Sequence, residues 1–279
     1  MENVRESEDA AGEGEVRAAV AWLEVAFPEA ACTLVLDKDM QVPSAFWAEG
    51  SPDVETCLSY QERFGAGMDD KVRAAHLIAF YSHQLSLVAA AIYLCSGRVP
   101  DVAGLRFERY ARPLKAGAVD AGRFHFYMGL RQASGSAPED ADELFHDRFV
   151  AHLKPVIALL KRRCGLSLRA QWRLAADSVA GTFLEVGRRR GTEAEAIVWA
   201  LAIVKRSGSP LHSDALHYER IEVVTADGKE LSRTYRMRGG CCLYYRTDGG
   251  SYCDSCVLLE PEARRERLRA HLLETARDQ

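Results

Sequence analysis

The chain has 279 residues, with 36 Lys and Arg against 40 Asp and Glu. That length suits one large domain or two modest ones and leaves room for a substantial core. A formal net charge of −4 excludes a generally basic nucleic-acid coat and gives no support to a polybasic membrane binder.

Taken in chain order, residues 1–14 read as a disordered acidic tail, with six Asp or Glu against one Arg in the first fifteen positions. The segment has no apolar run for a secretory signal and is too acidic for a transit peptide, so a cytoplasmic location is expected. Cysteines there act as thiols, metal ligands or redox groups rather than structural disulfides. A helix is expected over 15–27, ending at Pro28, then a short strand over 33–37. A second helix is expected over 51–64, capped by Ser51 with Pro52 at its first position.

Residues 72–95 are long and mostly apolar but carry Arg73, His76, His83 and Gln84. The uninterrupted stretch is shorter than the roughly 20 residues a span needs, so this reads as a buried core helix. No integral membrane segment is expected. Gly97 and Pro100 end it. Two aromatic-rich strands follow within 105–130, joined by a short connection over 113–122. A loop is expected over 134–145, then helices over 144–164 and 167–186, and a basic turn over 187–191. The next helix runs from Thr192 to about Lys205, with Glu195 completing a capping box. His76, His83 and Trp172 are read as core positions.

The Gly, Ser and Pro-rich stretch 207–216 is the best boundary in the chain. Beyond it, Asp227-Gly228 marks a hairpin. Ile221, Val223, Leu231, Tyr235 and Met237 fall on one face, and Arg236 and Arg238 on the other. Pro261 opens a final amphipathic helix. The expected fold is α+β. A mostly helical body with a small antiparallel sheet spans 15–206, and a hairpin, cysteine cluster and final helix form a C-terminal module over 207–279.

Eight cysteines divide by placement. Cys32, Cys57, Cys95 and Cys164 are scattered and read as ordinary buried thiols. Cys241, Cys242, Cys253 and Cys256 fall within RGGCCLYYRTDGGSYCDSC. Four unpaired thiols so close together would be a coincidence. A redox dithiol would have to be either a strained vicinal pair or a C-x-x-C outside a thioredoxin-like setting. Zinc ribbons space each ligand pair two to four residues apart, which Cys241-Cys242 does not. A 2Fe-2S centre distributes four thiolates over two metal atoms. Adjacent cysteines in an extended segment point to opposite sides, which suits two metals better than one ion. Gly239, Gly240, Gly249 and Gly250 would let backbone N–H groups approach the cluster sulfurs. Arg236, Arg238 and Arg246 would offset its negative charge.

The string CCLYYRTDGGSYCDSC resembles the C-terminal signature of the FhuF-type ferric-siderophore reductases, with weaker likeness in SGRVPDV and GLSLRAQWRLAADSVAG. One departure is Asp248, where members often carry Pro. The resemblance implies a cytoplasmic bacterial protein with one 2Fe-2S cluster, held by Cys241, Cys242, Cys253 and Cys256. It implies one-electron reduction of siderophore-bound ferric iron, of hydroxamate type, with release of ferrous iron. No catalytic residue beyond the cluster is expected. Tyr244, Tyr245 and Arg246 are candidate substrate contacts. No GxGxxG stands at a strand–helix junction, so the electron donor is expected to be another protein, such as a ferredoxin or an NAD(P)H-dependent reductase. A monomer with no nucleic-acid partner is expected. The competing reading is a zinc-stapled interaction module or a non-catalytic iron–sulfur iron sensor.

Overall fold

The computed structural model describes residues 2–114, 117–129 and 140–277. Two helices form its axis. Helix α4 (Asp70–Ser96) starts at Asp69, whose side chain accepts the Val72 N–H at 2.9 Å, and ends at Gly97 in the left-handed conformation. This is the one helix among the described residues long and apolar enough to cross a membrane, and most of it is buried inside the fold. Helix α6 (Leu168–Arg190) packs along it, with Ser82 and Ser178 hydroxyls 2.8 Å apart at the crossing. Small side chains there let the two backbones approach closely, and Ala74, Ala75, Ala175 and Val179 are fully enclosed.

Around this pair lie α1 (Glu2–Ala26), α2 (Pro43–Phe46), α3 (Pro52–Gln61), α5 (Ala141–Cys164) and α7 (Glu193–Val204). Helix α1 covers the stretch read as a disordered tail. Leu23 and Val16 are anchored in the core, and elongation from an existing helix is cheaper than nucleation, so the helix runs back through the Glu-rich start in spite of Gly12 and Gly14. Ser51 caps α3 as expected by accepting the Asp53 N–H at 3.3 Å. Thr192 precedes α7 but makes no side-chain cap. Of the loop expected over 134–145, residues 134–139 lie outside the described residues and 141–145 are already the first turn of α5.

Strands β2 (Asp101–Leu114) and β3 (Gly117–Gly129) form the expected antiparallel hairpin, with most of the expected connection absorbed into the strands. Strand β1 (Ala31–Thr33) adds to β3 in parallel, so the sheet is mixed rather than purely antiparallel. It lies earlier than the expected 33–37 strand, leaving Val35 and Leu36 exposed. Alternation along β3 buries Phe124 and Phe126 against Tyr81 of α4. Beside them, the Tyr81 hydroxyl lies 2.5 Å from His152 Nε2.

The second sheet is the hairpin β4 (His217–Val224) and β5 (Glu230–Met237), turning at Asp227-Gly228 as expected. Its apolar face meets α8 (Pro261–Arg277) in a small second core of Ile221, Met237, Leu268 and Leu272. Within the stretch read as a boundary, Leu211 and Leu216 are sealed in the main core. The fold is α+β.

Candidate metal centre

The cysteine segment lies between the main body and the small second core. Its approach is set by one carboxylate. Asp177 on α6 is 2% exposed and accepts the Gly239 N–H at 2.7 Å and the Gly240 N–H at 3.0 Å. Its second oxygen also faces Arg238 Nε at 3.4 Å, and its backbone carbonyl accepts from Arg236. The glycine N–H groups therefore serve the helix and not the sulfurs. Glycine is required at 240 for space, because a Cβ there would stand 2.9 Å from the Leu174 backbone nitrogen.

Past Cys242 the chain turns sharply. Leu243 is the only non-glycine with positive φ among the described residues, at 63°, and its N–H points to Cys241 Sγ at 3.4 Å. A 3-10 turn over Tyr244–Arg246 follows. It is closed by Gly250, where a Cβ would fall 2.1 Å from the Tyr244 carbonyl oxygen. Asp248 N–H donates to the Ala66 carbonyl at 2.9 Å, docking the loop on the segment that leads into α4.

Arg238 organises the thiols. Its Nη1 lies 3.5 Å from Cys253 Sγ and 3.7 Å from Cys242 Sγ, and its side chain is only 13% exposed. Burial works against the guanidinium charge, but Asp177 and the two thiols outweigh it and hold the group protonated. Burial raises the Cys241 and Cys253 thiols, with neighbouring cysteines adding to the shift in both. Cys256 is buried and its N–H closes a turn onto the Cys253 carbonyl at 2.9 Å.

The candidate substrate contacts separate. Tyr244 packs inward against His76 of α4, with ring centroids 5.9 Å apart. Arg246 is engaged by Asp69, the cap of α4. Of the two tyrosines only Tyr245 faces solvent, beside the equally exposed Tyr252 at 5.2 Å. Of the three arginines near the motif, Arg238 alone reaches sulfur. Arg236 is turned onto α6. Sequence reasoning missed Asp177 and Tyr252. LAADSVAG did hold a signal for the first, since an Asp amid an apolar helix stripe needs a buried partner.

His76 is half-buried, and its Nε2 has no partner. Burial lowers its pKa, and Arg238 adds to that. Trp172 is buried as expected, whereas His83 is surface-exposed. The cavities lie elsewhere. One of about 440 Å³, lined by Arg98, Arg190 and Trp199, sits at the far end of α4. From His76 to Gly97 that is about 30 Å along the helix at 1.5 Å per residue.

This segment carries four thiols, two adjacent and two from a C-x-x-C, and Arg238 links one of each pair. Among the described residues no three His, Cys, Asp or Glu side chains, these thiols included, already stand together as a metal-binding group. The donor set fits a group that takes thiolates in pairs on two metal atoms.

No curated protein matches the chain. Two family models do. Residues 238–258 match the FhuF 2Fe-2S C-terminal domain, and residues 120–211 match the ferric iron reductase FhuF-like transporter model. The first match begins at Arg238 and contains all four clustered cysteines; the second contains Asp177. Both matches point to the same group of proteins, the FhuF-like ferric iron reductases, and the segment matched over 238–258 is that of their 2Fe-2S C-terminal domain.

Proposed function

We propose that this protein reduces ferric iron held by a siderophore of hydroxamate type and releases ferrous iron in the cytoplasm. The observation that carries the reading is that Arg238 joins Cys242 and Cys253, one from the adjacent pair and one from the C-x-x-C, within the matched 2Fe-2S segment. Cys241, Cys242, Cys253 and Cys256 are the ligands in this reading. A bound 2Fe-2S group supplies one-electron transfer.

The chain's own residues have three tasks. Asp177 fixes the Arg238-Gly239-Gly240 approach and hence the position of the adjacent pair. Arg238 offsets negative charge at the sulfurs. Tyr245 and Tyr252 offer an exposed aromatic face on the same loop, where a chelate of modest size can rest. Tyr244 and Arg246 hold that loop on α4 rather than meeting substrate. One electron enters from a donor protein, a ferredoxin or an NAD(P)H-dependent reductase, and reduces iron(III) to iron(II). Ferrous iron carries less charge and suits hard oxygen ligands less well, so the chelate loosens.

Anaerobically purified protein should be brown and should lose its visible absorption on dithionite treatment. With reduced donor and a ferric hydroxamate, a ferrous-specific chelator should trap product. Cys241→Ser and Cys256→Ser should remove colour and turnover together. A colourless protein with stoichiometric zinc would sink the reading, as would turnover that survives loss of colour.

A further inference from the structure

We infer that Arg238, held by the buried carboxylate of Asp177, sets the reduction potential of the cluster and acts as its charge-balancing contact. The inference rests on the cluster reading above. Three arginines flank the motif, and their geometries separate them. Arg246 is spent on Asp69 at the surface, with a side chain 40% exposed. Arg236 donates to the backbone carbonyl of Asp177. Arg238 alone puts a guanidinium nitrogen on two sulfurs, Cys242 Sγ at 3.7 Å and Cys253 Sγ at 3.5 Å. Those two cysteines belong to different pairs of the motif, so one cation spans both pairs.

The direction follows from charge. Reduction adds one negative charge to the cluster, and a fixed cation in contact with its ligand sulfurs favours that form, which raises the potential. Low local dielectric strengthens the effect, since Arg238 and Asp177 side chains are 13% and 3% exposed. Asp177 opposes it. Its two oxygens are taken by the glycine N–H groups and by Arg238 Nε. The carboxylate thus aims the guanidinium while tempering its field, and Arg238 is a positioning and tuning residue rather than a catalytic one.

The test is a spectroelectrochemical titration of the loaded protein, comparing wild type with Arg238→Gln, Arg238→Lys and Arg246→Gln. Arg238→Gln should lower the equilibrium constant for reduction at least tenfold, a midpoint shift of about 59 mV for a one-electron couple. Arg238→Lys keeps the charge and should stay closer to wild type. Arg246→Gln should match wild type. A loaded Arg238→Gln protein with an unmoved midpoint overturns the inference, and so does an equal shift in Arg246→Gln. Should Arg238→Gln fail to hold the cluster, Asp177→Asn decides. Removing the opposing charge should move the midpoint to more positive potential, and a fixed or more negative midpoint overturns the inference. Failure of the cluster reading itself is a separate outcome, because wild-type protein would then show no dithionite-sensitive absorption to titrate.

Discussion

Replacing Asp177 by Ala removes one side chain on which the whole approach to the cysteines depends. The carboxylate accepts from Gly239 N–H at 2.7 Å, Gly240 N–H at 3.0 Å and faces Arg238 Nε at 3.4 Å. Each stranded buried N–H costs about 1–3 kcal/mol, and breaking a buried ion pair from one side costs about 3–5 kcal/mol. These effects share one carboxylate and do not add, so the expected loss is about 3–5 kcal/mol. That is a large part of the roughly 5–15 kcal/mol that holds a typical domain folded. With a urea dependence of about 3 kcal/mol/M, the unfolding midpoint should fall by about 1–1.7 M, read by far-ultraviolet circular dichroism. Visible absorbance per mole of protein should fall with it, because the adjacent cysteines lose their anchor. Asp177→Asn keeps one acceptor oxygen and should lie between. A midpoint lowered by less than about 0.3 M, or full absorbance in the Ala variant, would refute the reasoning.

Gly250→Ala should abolish visible absorbance while leaving far-ultraviolet ellipticity nearly unchanged. The added Cβ would stand 2.1 Å from the Tyr244 carbonyl oxygen, and backbone cannot move aside without opening the loop; full colour would contradict this. Cys57→Ser should leave colour intact and lower stability by about 1–3 kcal/mol, the cost of an unpartnered hydroxyl in an apolar site; loss of colour would put the ligand set in doubt. His152 is held neutral by burial, its pKa pushed down to about 4 from 6.5. Its unfolded form binds a proton at higher pH than its folded form, so stability is full above about pH 6.5 and falls as pH drops towards 4, by up to about 3 kcal/mol. Thermal unfolding from pH 7 to pH 5 should show that slope in wild type and a shallower one in His152→Gln. Equal slopes would assign the acid sensitivity to other groups.

The cysteine motif was legible because its ligands are close in sequence and its spacing is unusual. The hairpin at Asp227-Gly228 was legible for a similar reason, since turn chemistry and two-residue alternation are local. Ile221, Val223, Leu231, Tyr235 and Met237 do face the small core with α8, and Arg236 and Arg238 do turn the other way. The buried character of α4 was readable from its interruptions. Less local features were missed. The acidic start was read from its charge alone as a tail, although the Leu23 anchor lets the helix of α1 run back through it. Within the stretch 207–216, read as a boundary, Leu211 and Leu216 find pockets in the main core.

Sequence alone thus determined the chemistry: four thiols in two close pairs, glycines at the turns and arginines nearby. Only the tertiary structure decided how those parts are used. The glycines serve Asp177 and backbone packing, one arginine of three reaches sulfur, and one tyrosine of two faces solvent. The physical reason is sequence separation. Asp177 lies about 60 residues before the motif, and Asp69 and His76 further still. A buried carboxylate selects its partners by distance in space, which no local spacing encodes.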